Sequence, residues 1–150
     1  KFPMYFAIIS ILAAPASFMN AALVMKYGMK LLATIGFALQ IIFAIITILI
    51  INQDFISMEW LLVIFISWSV IAFFLKGLYF GNLNALAMEP MGEIAGMASA
   101  IIGASATMLG ILIAIPIGLA FNGTATPVLF GYITCSSLAL ILMLTKSNNN

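Results

Sequence analysis

Five apolar runs, each long enough to cross a lipid bilayer, dominate this chain. A hydrocarbon core about 30 Å thick takes about 20 helical residues at a rise of 1.5 Å each. Runs of that order cover residues 2–25, 31–51, 60–80, 94–121 and 127–145. Short polar interruptions separate them: Lys26 to Lys30, Asn52 to Glu59, Asn82 to Glu93, and Asn122 to Thr126. The expected fold is therefore an all-α membrane protein, a bundle of five transmembrane helices joined by short loops.

Charge supports the same class. Only 6% of the residues are charged, against roughly a quarter in a soluble domain, so a water-facing surface cannot be built from them. Five lysines and four acids leave a formal charge of +1. That provides no basic face for nucleic acid. The chain has no histidine, and its single cysteine, Cys135, can form no internal disulfide. The usual zinc, haem and imidazole-base sites are thereby excluded. Inside the runs lie one lysine and no acid, and no hydroxyl there has an evident base, so an enzyme is not expected. The opening Lys1-Phe2-Pro3 lacks both an initiator methionine and the pattern of a signal peptide, and it reads as a segment of something longer.

The lysines cluster at alternate ends. Lys26, Lys30 and Lys146 fall on one side, and only Lys1 falls on the other. By the positive-inside rule the first loop, the third loop and the C-terminus are cytoplasmic. The first run then starts outside, which implies at least one preceding helix. Asp54 and Glu59 sit in the outer loop, and Trp60 takes the place of an interfacial anchor.

Helices in lipid associate through small residues that allow close approach. The first run carries Ala7, Ser10, Ala14, Ser17 and Ala21, and the fourth carries Gly96, Ser99, Gly103, Ala106, Gly110, Ala114 and Gly118, with Pro116 able to bend it. These stripes mark the fourth run as a central packing helix. The second run has a thinner stripe, Gly36, Gln40, Ala44 and Thr47, and the fifth is apolar apart from Thr134 to Ser137. Both are expected to face lipid. On the third run Ser69, Ala72, Lys76 and Tyr79 share a face leading to Asn82, flanked by Gly77 and Gly81. That helix is the candidate for lining a polar cavity.

Lys76 has two readings. An ionisable group at mid-membrane costs about 3 kcal/mol or more and marks a pathway. A lysine closer to the headgroups instead snorkels, and a position 16 residues beyond Trp60 permits that. Asn20 could bond substrate or a neighbouring backbone, the structural role being favoured. Glu89 and Glu93, four apart around Pro90, fit the start of a helix, where its dipole favours negative charge, better than a metal pair. The ten methionines suit an adaptable ligand surface and are equally ordinary membrane filler.

The block from Gly77 to Pro127 resembles the late helices of Bcr/CflA-type drug efflux transporters of the major facilitator superfamily. The resemblance is carried by Asn84-Ala85-Leu86-Ala87-Met88-Glu89-Pro90, by Gly96-Met97-Ala98-Ser99-Ala100 with Gly103, and by Phe121-Asn122-Gly123-Thr124. Ser17 to Asn20, followed by Leu23, Lys26, Gly28 and Lys30, is similar to the cytoplasmic loop between that family's eighth and ninth helices. The resemblance therefore implies the eighth to twelfth helices, most of one six-helix half, with the ninth and twelfth peripheral, the tenth lining the cavity, and the eighth and eleventh between the halves. Met25 stands where the superfamily's loop motif has an Asp, so no charge relay is assigned to the loop.

Several expectations follow from the resemblance. The protein would be a secondary transporter of an inner or plasma membrane, exporting drugs or small amphipathic compounds, with no cofactor and the proton gradient as its driving force. Its partners would be a small-molecule substrate, the bilayer and an N-terminal half of the same transporter. A same-fold importer of a metabolite and a non-catalytic membrane scaffold subunit are the alternatives. Lys76 and Tyr79 would border the substrate cavity, with Ser69 and Phe73 deeper and Asn20 nearby. Gly96, Gly103, Gly110, Pro116 and Gly118 would set packing and conformational change, and Lys26, Gly28 and Lys30 would form the cytoplasmic loop.

Overall fold

The computed structural model describes residues 2–53 and 55–147. Its regular structure is helical: α1 (Phe2–Ala13), α2 (Pro15–Tyr27), α3 (Met29–Ile51), α4 (Met58–Met88), a 3₁₀ segment (Glu89–Ile94), α5 (Ala95–Leu119) and α6 (Thr126–Ser147). Four stretches are long and apolar enough to cross a membrane: Pro3–Tyr27, Met29–Ile51, Met58–Leu119 and Thr126–Thr145. Lys1, Asp54 and the side chain of Lys146 lie outside the described residues.

Local chemistry sets the breaks. The first run is not one smooth helix: Pro15, which has no N–H to donate and cannot follow an unbroken turn, opens α2 directly after Ala14. Gly28, at φ 80°, ends α2 and begins α3 in a backbone region that costs other residues a steric penalty. The third run continues well past Phe80 because its polar residues bond back into the helix. The Asn82 and Asn84 amides donate to the Leu78 and Phe80 carbonyls, at 2.8 and 3.1 Å. The 62-residue stretch that follows Met58 is broken at Gly92, where φ 48° and ψ −123° depart from helix. Beyond that point α5 returns beside α4, so that Lys76 and Tyr79 share a cavity wall with Ala106 and Gly110.

Side-chain pairings fix the register. Tyr79 packs on Gly36, and Trp68 and Ala72 pack with Ala44, so α4 runs antiparallel to α3. Leu129 joins Ala44 at one level while Met143 joins Lys30 at another, so α6 is antiparallel to α3 as well. Ala16 meets Gly77 and Asn20 meets Asn82, so α2 is parallel to α4. Lys30, Glu89 and Met143 therefore gather at one end of the bundle, and Asn52, Glu59 and Thr124 at the other. That grouping is the one expected from the lysine pattern.

The packing order differs from the sequence reading. Leu32, Ala33, Gly36, Phe37, Gln40, Ala44 and Thr47 of α3 are all buried, so the second run is the central helix of this chain and is not peripheral to it. α3 is held between α4 and α6, and the thin stripe suffices because Gly36 and Ala44 admit Tyr79 and Trp68. By contrast Ala98 is the one buried residue in α5. A side chain added at Gly96, Gly103, Gly110 or Gly118 would meet nothing within 4 Å. Ala7, Ser10, Ala14, Ser17 and Ala21 face outward too. The stripe of α1 and α2 thus lies on the outside of this chain, the stripe of α5 borders open space and not a packed neighbour, and α5 is not the central packing helix.

Candidate functional site

Where α4, α5 and α6 meet they border an open cavity of about 890 Å³, within the 300–1,000 Å³ usual for small-molecule sites. Its wall is mostly apolar, with Phe37, Ala106, Ile113 and Val128, and its polar groups are Lys76, Tyr79, Tyr132, Cys135 and Ser136. Lys76 is the single charged residue in that lining among the described residues.

The register bears on the two readings of Lys76. With Tyr79 beside Gly36 in an antiparallel pair, Lys76 lies level with residues 39–40, the middle of α3 (Met29–Ile51). It is then about 15 Å from the level of Met29 and about 18 Å from that of Ile51 at 1.5 Å per residue. Neither helix end is within the span of a lysine side chain, which favours the cavity reading over snorkelling. The ammonium instead lies 5.9 Å from the Phe73 ring centroid and 6.0 Å from that of Phe80. At the outer limit of that range ring faces still attract a cation, and Lys76 itself is exposed on the open side of the cavity.

Tyr79 is fixed by a tilted ring contact with Phe37, centroids 4.5 Å apart, and by its close approach to Gly36. Tyr132 meets the buried Trp68 edge to face at 5.0 Å. The two tyrosines therefore hang from the α3–α4–α6 core as rigid walls. Phe73 reaches the site through its contact with the Lys76 ammonium. Ser69 does not: it is buried, and its hydroxyl donates to the Phe65 carbonyl at 2.8 Å, which satisfies the group within its own helix.

Asn20 lies elsewhere. Its amide and that of Asn82 bond reciprocally, Asn20 Nδ2 donating to Asn82 Oδ1 at 3.2 Å and Asn82 Nδ2 to Asn20 Oδ1 at 2.8 Å. The pair clasps α2 to α4, so Asn20 is structural, its partner being a side chain and not a backbone group. Asn82→Leu leaves the Asn20 amide unpaired and is expected to cost about 1 kcal/mol. Adding Asn20→Leu should restore part of it, because partners in one bond do not add; thermal unfolding of both variants in detergent checks this.

Gly110 and Gly118 line the cavity, whereas Pro116 lines a neighbouring hollow between α5 and α6 that also reaches Cys135. Gly96 and Gly103 belong to neither. Lys26, Gly28 and Lys30 are remote, at the end where Lys30 and Glu89 border a common hollow. Phe37, Tyr132, Cys135 and Ser136 were not anticipated. The only signal for them was the polar interruption from Thr134 to Ser137 in an otherwise apolar run.

One buried group has no role in the packing described so far. Gln40 is 1% exposed, and neither its amide nitrogen nor its oxygen has a hydrogen-bond partner among the described residues; the indole N–H of Trp68 is also unpaired. Compared with protein-family models, with curated proteins and with solved structures, the chain gives no match.

Proposed function

We propose that this chain crosses a bilayer five times and forms most of one half of a secondary transporter, one that exports small amphipathic compounds in exchange for protons. The observation that carries the reading is the lone amine at mid-depth, Lys76, on the wall of a cavity of drug size. A charge so placed is costly unless it faces a solute route. Loose packing of α5 against α4 and α6 is what a moving wall requires.

The outward stripe of α1 and α2 offers a surface on which a second helical half could rock. Export, proton coupling and the family itself rest on the likeness of the Gly77 to Pro127 block to Bcr/CflA-type transporters. On this reading the end bearing Lys26, Lys30 and the C-terminus is cytoplasmic, in an inner or plasma membrane.

Flux of a fluorescent amphiphile out of proteoliposomes, with and without an imposed proton gradient, tests the proposal. Gradient-dependent flux that a protonophore abolishes is the expected result. Equal flux in both conditions would contradict it.

A further inference from the structure

The cavity's charge is one-sided. Lys76 Nζ is its cation, no acid among the described residues lines it, and Glu59, Glu89 and Glu93 lie towards the two ends of the bundle. Across the helices α1 to α6 the sequence places only one acid, Glu59 in the first turn of α4. A cationic amphiphile entering from α5 would meet a like charge at mid-depth without a counter-ion from this chain. An anionic one would meet an ammonium together with the hydroxyl-bearing side chains of Tyr79, Tyr132 and Ser136, all capable of donating to carboxylate oxygens.

We infer that this cavity selects amphipathic anions, an apolar or aromatic body carrying one carboxylate or similar acid group, with Lys76 as the specificity-determining residue. The inference rests on the transport reading and names its substrate class. Phe73 and Phe80 stabilise the ammonium when the cavity is empty, and an entering carboxylate provides the stronger, charge-assisted partner. The aromatic and aliphatic wall takes the apolar body. An anionic lipid headgroup has the same chemistry as a free anionic solute, so the test must separate the two.

Cys135, the only cysteine, is exposed and lines the cavity, so its alkylation by a membrane-permeant maleimide reports occupancy without introducing any label site. The intact protein in phosphatidylcholine nanodiscs would be titrated with pyrenebutyrate, its uncharged methyl ester and the matched pyrenebutyl-trimethylammonium. Pyrenebutyrate is expected to protect Cys135 at about 10- to 100-fold lower concentration than either analogue. K76Q should remove that preference, and K76R, which keeps the charge, should retain it.

Equal protection by the cation, or an unchanged preference in K76Q, would overturn the inference. Adding phosphatidylglycerol to the discs assigns the source: competition with pyrenebutyrate points to lipid and its absence to a free solute, both outcomes keeping the anion preference. Because occupancy is read without a gradient, loss of gradient-driven flux with the preference intact would sink the transport reading alone.

Discussion

Gly36→Leu is expected to destabilise the bundle by about 2–3 kcal/mol and to impair the cavity at the same time. Even a methyl group at position 36 would stand 2.7 Å from Tyr79 Cδ1 and 3.4 Å from its Cβ and Cγ. The ring cannot swing away from atoms so near its own root without leaving Phe37, with which it is in tilted contact. α3 and α4 must separate instead, and Tyr79 moves with them. Gly36→Ala should show the same two effects at about 1 kcal/mol. Thermal unfolding in detergent measures the first effect, and protection of Cys135 by pyrenebutyrate the second. A leucine variant as stable as the parent would contradict the close α3–α4 approach.

Gln40→Leu is expected to act in the opposite direction, stabilising the protein by about 1–3 kcal/mol. A buried amide with no partner bears the full cost of losing its hydrogen bonds to water, and an apolar side chain of similar size removes that cost. A residue that lowers stability and is still carried in a packed core has a use elsewhere. Gln40 lies on α3 at the level of Lys76, so the leucine variant should unfold at higher temperature while transporting more slowly. Unfolding and flux measured on the same preparation test both halves. A Gln40→Leu variant that is less stable would mean that the amide does have a partner in the bilayer.

How much of this was legible in the sequence depends on what each residue signals. The apolar runs located the helices well, since length and hydropathy are properties of a segment alone. Pro15 was passed over because the apolar run continues through it, although its missing N–H divides α1 from α2. Asn82 and Asn84 were read as a loop because polar residues usually end a span; here their amides satisfy carbonyls one turn back and the helix continues.

Packing order was harder to read. Gly, Ala and Ser allow a close approach but do not name the helix that makes it, so the stripe of α1 and α2 marked a surface that faces out of this chain, and that of α5 marked a cleft wall and not a packed contact. The sparse stripe of α3 was filled by Tyr79, Trp68 and Leu129, whose partnership spans distances no local pattern encodes. At the site, Lys76 and Tyr79 were legible because one charge in an apolar run stands out. Phe37 and Tyr132 were not, since a single aromatic residue in an apolar helix looks the same whether it faces a cavity, a neighbour or lipid.

The claim on which the account turns is that position 76 faces an aqueous solute route at mid-depth. A spin label at Lys76→Cys, in a Cys135→Ser background reconstituted in lipid, tests it through collisions with a water-soluble nickel chelate and with oxygen. The account predicts frequent collisions with the chelate. Collisions with oxygen alone would place position 76 against lipid and contradict it.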